Sequence, residues 1–367
     1  MRYRQPLKKI LAQARPYWDQ EEMSPASRWV FARALQCRTP ELGAEVYSSE
    51  NQELIVCHTC KSRACPSCGH RANVQWLRER WAALPTAPYK GITFTMPDLL
   101  WHFFRDNPSL ARALPALASG VIRARVSAKY GLKVGVIAIP HTFNGKLEFN
   151  SHVHTMITAG GLHGSSGKWS PRVYYDQNRM MKAWQKAVIA LLRAALRAGR
   201  LQTELSADQV DDLLNHQERC WWSIKIQSFA DKWHFLQYAG RYVRRPPIAQ
   251  RRITCVGKGT VRFWYKDKKL DRRINVECSL EEFVDRWAQH IPERYQHTVR
   301  SFGLFAPRSL NRTSAAIFAL LGQKRKPRPK PRRWSDSIKR DFGRDPLLDN
   351  AGQRMKWSGR MKPKTLF

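Results

Sequence analysis

LKVGVIAIPHTFNGKLEFNSHVHTMIT, residues 132–158, reads as two strands joined by a turn. Leu132 to Ile139 is a short, nearly continuous apolar run rich in β-branched residues, the pattern of a buried strand. Asn144-Gly145 is a strong turn signal. His152 to Thr158 is the returning strand, closed by Gly160-Gly161. Successive side chains in a strand alternate between faces, so His152 and His154 project from one face and offer two metal ligands. Two histidines at this spacing also occur at ordinary strand ends. His141 is the third candidate, and the register decides its place. A tight two-residue turn at Asn144-Gly145 sets His141 opposite Glu148; a wider loop over 144–149 sets it opposite His152. Phe149-Asn150-Ser151 does not alternate cleanly, which favours the wider loop. Glu148 and Gln237 are the fallback third ligands.

Outward from this pair, Tyr89 to Thr95 reads as a strand stopped by Pro97, and Leu99 to Tyr130 as mostly helical. Residues 178–198 carry the clearest amphipathic stripe: Met180, Trp184, Ala187, Val188, Leu191 and Ala195, with Gly199 at the C-terminal cap position. Ser206-Ala207-Asp208-Gln209 has capping-box form. Trp221 to Ile226 reads as a strand, and Arg252 to Tyr265 as a hairpin around Gly257-Lys258-Gly259. This order predicts an α+β fold, a mostly antiparallel sheet flanked by helices. The expected organisation is an N-terminal, cysteine-bearing helical region (1–85), a central domain (86–305) and a basic, flexible C-terminal tail (306–367). In the tail, Lys324 to Arg333 packs seven basic residues and three prolines into ten positions, a composition that cannot build a core.

Between 221–226 and Pro246-Pro247 lies a helix bearing Tyr238 and Tyr242. At i and i+4 their hydroxyls emerge from one helix face. A phenol is a weak nucleophile at neutral pH and needs a metal-polarised phosphate and nearby positive charge; Arg241, Arg244 and Arg245 supply the charge. Core aromatics at helical spacing give the same pattern. Set beside the histidines, two nucleophiles that can trade places suit the breaking and rejoining of a DNA strand.

Four of the eight cysteines fall within Cys57-x2-Cys60-x4-Cys65-x2-Cys68. Two such pairs supply four thiolates, enough for a closed tetrahedral Zn²⁺ site. The four-residue spacer is short, so Cys37, His58 and His70 are alternatives for one position, and an iron–sulfur cluster is a lesser reading. Cys220, Cys255 and Cys278 are expected to be buried thiols.

The 367-residue chain carries 64 Lys+Arg against 29 Asp+Glu, a net charge of +35. Self-repulsion on this scale opposes folding and is tolerated for a polyanionic partner, most often nucleic acid. Lys324, Arg325 and Lys326 join Arg241, Arg244 and Arg245 as candidate DNA contacts. With neither an apolar leader nor an apolar run of membrane-spanning length, the expectation is a cytoplasmic, nucleoid-associated protein.

The ordered set resembles the rolling-circle insertion-sequence transposases of the two-tyrosine, His-hydrophobic-His endonuclease class. The similarity runs from about Cys37 to Leu304. It takes in Arg63-Ala64-Cys65-Pro66-Ser67-Cys68, Phe94-Thr95-Met96-Pro97, His141-Thr142-Phe143, His152-Val153-His154 with Gly160-Gly161, Tyr238-Ala239-Gly240-Arg241-Tyr242 and Arg245-Pro246-Pro247. The resemblance implies a zinc-binding N-terminal region joined to a nuclease domain. It also implies Mg²⁺ or Mn²⁺ on the histidines, and a tyrosine that attacks single-stranded insertion-sequence ends to leave a 5′-phosphotyrosine and a free 3′-hydroxyl. The chain departs from the family at residues 47–52, where many relatives carry an earlier Cys-x2-Cys pair. A plasmid replication initiator or relaxase shares the chemistry, and a non-catalytic zinc-dependent DNA-binding protein would share the charge. A tyrosine recombinase is suggested by His297-Thr298-Val299-Arg300, but it needs a later tyrosine and none follows Tyr295.

Overall fold

The computed structural model describes residues 5–267 and 269–363. The chain opens with helices α1 (Pro6–Gln13), α2 (Arg15–Trp18) and α3 (Pro25–Leu35). Strands β1 (Ala44–Ser48) and β2 (Glu53–Cys57) form a hairpin, the cysteine-rich turn follows, and α4 (Gly69–Ala83) leads to β3 (Tyr89–Phe94). Helices α5 (Trp101–Asp106) and α6 (Pro108–Tyr130) precede β4 (Leu132–Lys133), β5 (Gly135–Phe143), β6 (Phe149–Thr158), β7 (Gly161–His163) and β8 (Trp169–Ser170). Then come α7 (Gln177–Arg197), α8 (Ala207–Arg219), β9 (Ile224–Phe229) and α9 (Lys232–Val243). A meander of β10 (Ile253–Val256), β11 (Thr260–Lys266) and β12 (Arg273–Ser279) passes to α10 (Leu280–Ala288) and β13 (Arg300–Gly303). The chain continues through α11 (Pro307–Leu320), α12 (Trp334–Phe342) and β14 (Lys356–Met361).

The central sheet has the order β13-β5-β6-β3-β9, antiparallel throughout. The expected α+β architecture is what forms. Period-two alternation divides its residues between two cores. Ile92, Phe94, Val136, Ala138, Val153 and Ile157 face α6 and α7, where Trp184, Val188 and Leu192 are buried. Tyr89, Ile137, Ile139 and Met156 pack on the other face with Phe235, Leu236, Ala239 and Val243 of α9. His141, His152 and His154 share the parity of this second set.

The β5–β6 register is the one a wide loop requires, with His141 opposite His152 and a bulge between His141 and Phe143. The Asn144 side chain accepts from the amides of Lys146 and Glu148. Leu147, at φ 64°, is fully buried in a third core built from α1, α3, the β10–β12 meander and α10. His290 donates from Nε2 to the Leu147 carbonyl (3.0 Å) and accepts at Nδ1 from the Thr142 hydroxyl (3.1 Å). Burying Leu147 forces the loop open, and that sets the pairing of the histidines.

Local signals are obeyed closely in the helices. Asp176 caps α7 through the Arg179 amide, and Ser206 and Gln209 form the reciprocal capping box of α8. Gln185, buried in α7, donates to the carbonyls of Gln217 and Cys220. The strand expected at 221–226 begins only at Ile224 and runs to Phe229, because Ile224 to Phe229 is the stretch that pairs with β3.

The C-terminal segment differs from the flexible tail expected. Its basic stretch is extended, but it lies along α4. Arg328 pairs with Glu79 (3.0 Å), Arg78 donates to the Lys330 carbonyl (3.1 Å), and Arg71 to the Arg332 carbonyl (2.7 Å). Strand β14 then pairs with β1, giving the small sheet β14-β1-β2. An unpaired β1 edge would leave backbone groups without partners, and β14 covers it. The last four residues of the tail lie outside the described residues.

Candidate nuclease centre and zinc cluster

Helix α9 lies across the sheet face that carries the histidines. Asp231 caps its N-terminus through the His234 amide. Its close approach is permitted by Gly240, where a Cβ would sit 3.1 Å from Leu77 of α4, and by Gly91, where one would sit 3.3 Å from the Tyr238 ring. Tyr238 is buried (8% exposed) and Tyr242 half-buried.

His141, His152 and His154 each place a ring nitrogen within 4.8 Å of the others'. The neighbours of each ring indicate its tautomer. His141 Nε2 lies 3.0 Å from the Tyr242 carbonyl, and His152 Nδ1 lies 2.8 Å from the Asn150 carbonyl. A carbonyl only accepts, so these nitrogens carry the protons and the opposite ones hold the lone pairs a metal would take. His154 Nδ1 faces the Thr93 hydroxyl (3.1 Å) and the Tyr238 phenol (3.4 Å). The His154 ring stacks on Tyr242 with centroids 3.7 Å apart. Burial, with His154 and His152 alongside, drives the His141 pKa well below the ordinary histidine value, so its imidazole is neutral. Burial raises the Tyr238 phenol above its ordinary value, against the opposing hydrogen bond from Thr93.

Glu148 and Gln237 stand outside this cluster: Glu148 bonds Asn144 within the loop, and Gln237 is exposed on α9. Arg241 and Arg245 are exposed beside the tyrosines, Arg244 is half-buried, and Arg245 lies over the Phe143 ring. Lys324, Arg325 and Lys326 are exposed at the start of the segment along α4. Sequence reading missed Arg63 and Thr93. Arg63, from the spacer between Cys60 and Cys65, donates to the Tyr242 carbonyl (3.3 Å), the same oxygen that His141 holds. Its position inside the cysteine array was the only available signal.

The thiol cluster is Cys37, Cys60, Cys65 and Cys68. Cys57 is not brought into it; that residue ends the β2 ladder opposite Ala44. Cys37 takes the fourth place because the Arg38 amide bonds the His58 carbonyl (2.9 Å) and the His58 amide bonds the Gly43 carbonyl (2.8 Å), which lays residue 37 against residues 58–60. His58 is engaged by Leu42 and Glu45, and His70 by Asp341, so neither joins. Cys37 Sγ is 3.2 Å from Cys68 Sγ, which is 3.4 Å from Cys60 Sγ. Tetrahedral zinc with bonds of about 2.3 Å sets sulfurs about 3.8 Å apart, so the donor set fits that ion. Hydrogen bonds from Cys60, Cys65 and Cys68 hold the Cys37 thiol far below its ordinary value, while Cys37 pushes Cys60 up. Of the remaining cysteines, Cys278 is buried, Cys220 half-buried and Cys255 exposed, so burial was correctly expected only for the first.

Residues 9–96 match the family described as "Transposase zinc-binding domain", and residues 135–313 the one described as "Putative transposase". The chain is 31% identical over 295 residues to the "Transposase for insertion sequence element IS801" of Pseudomonas savastanoi pv. phaseolicola, covering 75% of this chain and 69% of that protein. It is 26% identical over 316 residues to "Putative transposase y4qJ" of Sinorhizobium fredii, covering 82% and 79% respectively. No solved structure matches the chain. The chain belongs to the insertion-sequence transposases of the IS801 and IS91 kind, the rolling-circle class with the His-hydrophobic-His motif. Its activity is DNA transposition, its partner is DNA, and its N-terminal cysteine cluster supports a structural zinc. No helix among the described residues is long and apolar enough to cross a membrane.

Proposed function

We propose that this transposase cuts and rejoins single-stranded DNA through 5′-phosphotyrosine links, using Tyr238 and Tyr242 beside a divalent ion held by His152, His154 and His141. The observation that carries this reading is the seat of His154: it stacks on the Tyr242 ring and lies 3.4 Å from the Tyr238 phenol, so both tyrosines meet at one imidazole. Mg²⁺ or Mn²⁺ bound there would polarise the scissile phosphate. A phenol oxygen attacks phosphorus, the bond to the 3′ oxygen breaks, and the phenol's proton is balanced by the one the 3′-hydroxyl gains. No water enters, so the phosphotyrosine bond is conserved until a 3′-hydroxyl attacks its phosphorus and releases the phenol, while the second tyrosine makes the other cut. Arg241, Arg244 and Arg245 grip the charged phosphates near the cut, and Lys324, Arg325 and Lys326 extend that contact along the strand. Zinc sits on Cys37, Cys60, Cys65 and Cys68. The division of labour follows the chain: residues 1–85 carry the zinc, residues 86–305 the nuclease, and residues 306–367 the basic segment.

The test is incubation with labelled single strands from insertion-sequence ends and Mn²⁺ or Mg²⁺. A covalent adduct is expected on Tyr238 or Tyr242. Each single Phe variant should still cut one strand but block complete transposition, and the double variant should form no adduct. An adduct mapped to Tyr174 or Tyr265 would refute the assignment.

A further inference from the structure

A cavity of about 1120 Å³ opens beside the nuclease centre, with His141 in its wall. Trp29 of α3, the turn Lys61 to Arg63 behind Cys60 and the loop 289–298 line it, together with the end of the β5–β6 hairpin and the segment after α9. It exceeds the ~300–1,000 Å³ usual for small-molecule pockets, and so suits a chain of linked units.

Its lining is basic and aromatic. Lys61, Arg63, Arg105, Arg245 and Arg294 face it; Arg105 pairs with Asp106, and the other four make no ion pair among the described residues. Glu293 is the acid in the wall, and Arg112 already neutralises it at 2.7 Å. The Arg294 guanidinium lies 5.2 Å from the Trp29 ring and 4.9 Å from the Tyr295 ring. Tyr295 is 84% exposed and held at φ 65°, a conformation a bulky residue rarely adopts. Phe143 and Phe149 supply two more ring faces nearer His141.

We propose that this cavity binds unpaired nucleotides of the strand next to the scissile phosphate. Bases stack on Trp29 and Tyr295, while Arg294, Arg245 and Lys61 take the phosphates. Stacking on protein aromatics needs a base whose faces are free, as in a single strand but not in a duplex. The inference rests on the strand-cutting reading only for the direction of the DNA; the cavity's preference for single strands is measured without any cutting.

The experiment uses the full chain with no added Mg²⁺ or Mn²⁺ and a fluorescein-labelled oligothymidylate. Trp29→Ala and Arg294→Ala should each weaken single-strand binding by about tenfold, and Trp29→Phe should restore it. Duplex binding should not change. Tyr295→Ala guards against misfolding, because so exposed a ring contributes little to packing; it should weaken single-strand binding by about fivefold. Photocrosslinking of an oligonucleotide bearing 5-iodouracil should mark Trp29, Tyr295, Phe143 or Phe149. Wild-type binding by both Trp29→Ala and Tyr295→Ala, or crosslinks confined to Trp221, Trp233 and Trp357, would overturn the proposal. The Tyr238→Phe/Tyr242→Phe double variant should bind single strands like wild type. If that variant still forms the covalent adduct once Mn²⁺ is added, the strand-cutting reading fails and the cavity assignment stands.

Discussion

His154 touches each neighbour in the nuclease centre: the two other histidines, Thr93, and both tyrosines. Removing its imidazole takes away a proposed metal ligand and the surface against which Tyr242 packs. His152→Ala and His154→Ala should therefore abolish adduct formation while DNA binding stays within about twofold, since the cationic side chains that supply affinity are untouched. Undiminished cutting by His152→Ala, read as adduct on a denaturing gel, would remove that histidine from the mechanism. Arg63 acts one step away. It shares the Tyr242 carbonyl with His141, so it holds the backbone of a proposed nucleophile from within the cysteine-rich turn. Loss of one charged hydrogen bond costs about 1.5–3 kcal/mol. Arg63→Gln should keep a full complement of zinc yet shift the adduct from Tyr242 toward Tyr238, by roughly tenfold or more, in peptide mapping.

Among the elements, the β5–β6 hairpin has the most consequences. Its loop is opened by the burial of Leu147 and pinned by His290. Burial lowers the His290 pKa to about 4. Unfolded, the same group takes up a proton near its ordinary value of about 6.5. Below that pH the unfolded chain binds a proton that the folded chain refuses, so stability falls as pH drops from about 6.5 to about 4. The loss amounts to about 3 kcal/mol, an order-of-magnitude figure for a group this deeply buried. His290→Gln should flatten the fall of melting temperature with pH across that window, and an unchanged slope would place the acid sensitivity elsewhere.

For the whole molecule, the zinc cluster stands where several parts of the chain meet. Residue 37 follows α3, Cys68 immediately precedes α4, and the sheet built by β1 and β2 is completed by β14 from the far end of the chain. Little apolar core underlies the cluster beyond Leu42 and the cysteines themselves. Metal analysis should find about one zinc per chain. Cys37→Ser should lower that content sharply, whereas Cys57→Ser should leave it unchanged; the reverse result would restore Cys57 as the ligand. Chelation should expose residues 37–68 to protease, because the metal there stands in for a hydrophobic core.

Period-two and 3.6-residue patterns, capping residues and charge are local properties, and they made much of this protein legible. The facing of His152 and His154, the shared helix face of Tyr238 and Tyr242, the caps of α7 and α8, and a polyanionic partner all followed from neighbours in the chain. Wherever residues far apart had to be matched, the folded chain was needed. The place of His141 depended on a loop held open by Leu147 in a core made with α1 and α10. The fourth thiol came from Cys37 because two backbone hydrogen bonds lay residues 37–38 and 43 against residues 58–60. The basic tail docked because β1 had an edge to cover, which no composition reveals. Spacing constrains partners within a few residues; beyond that, burial and backbone pairing decide among the candidates.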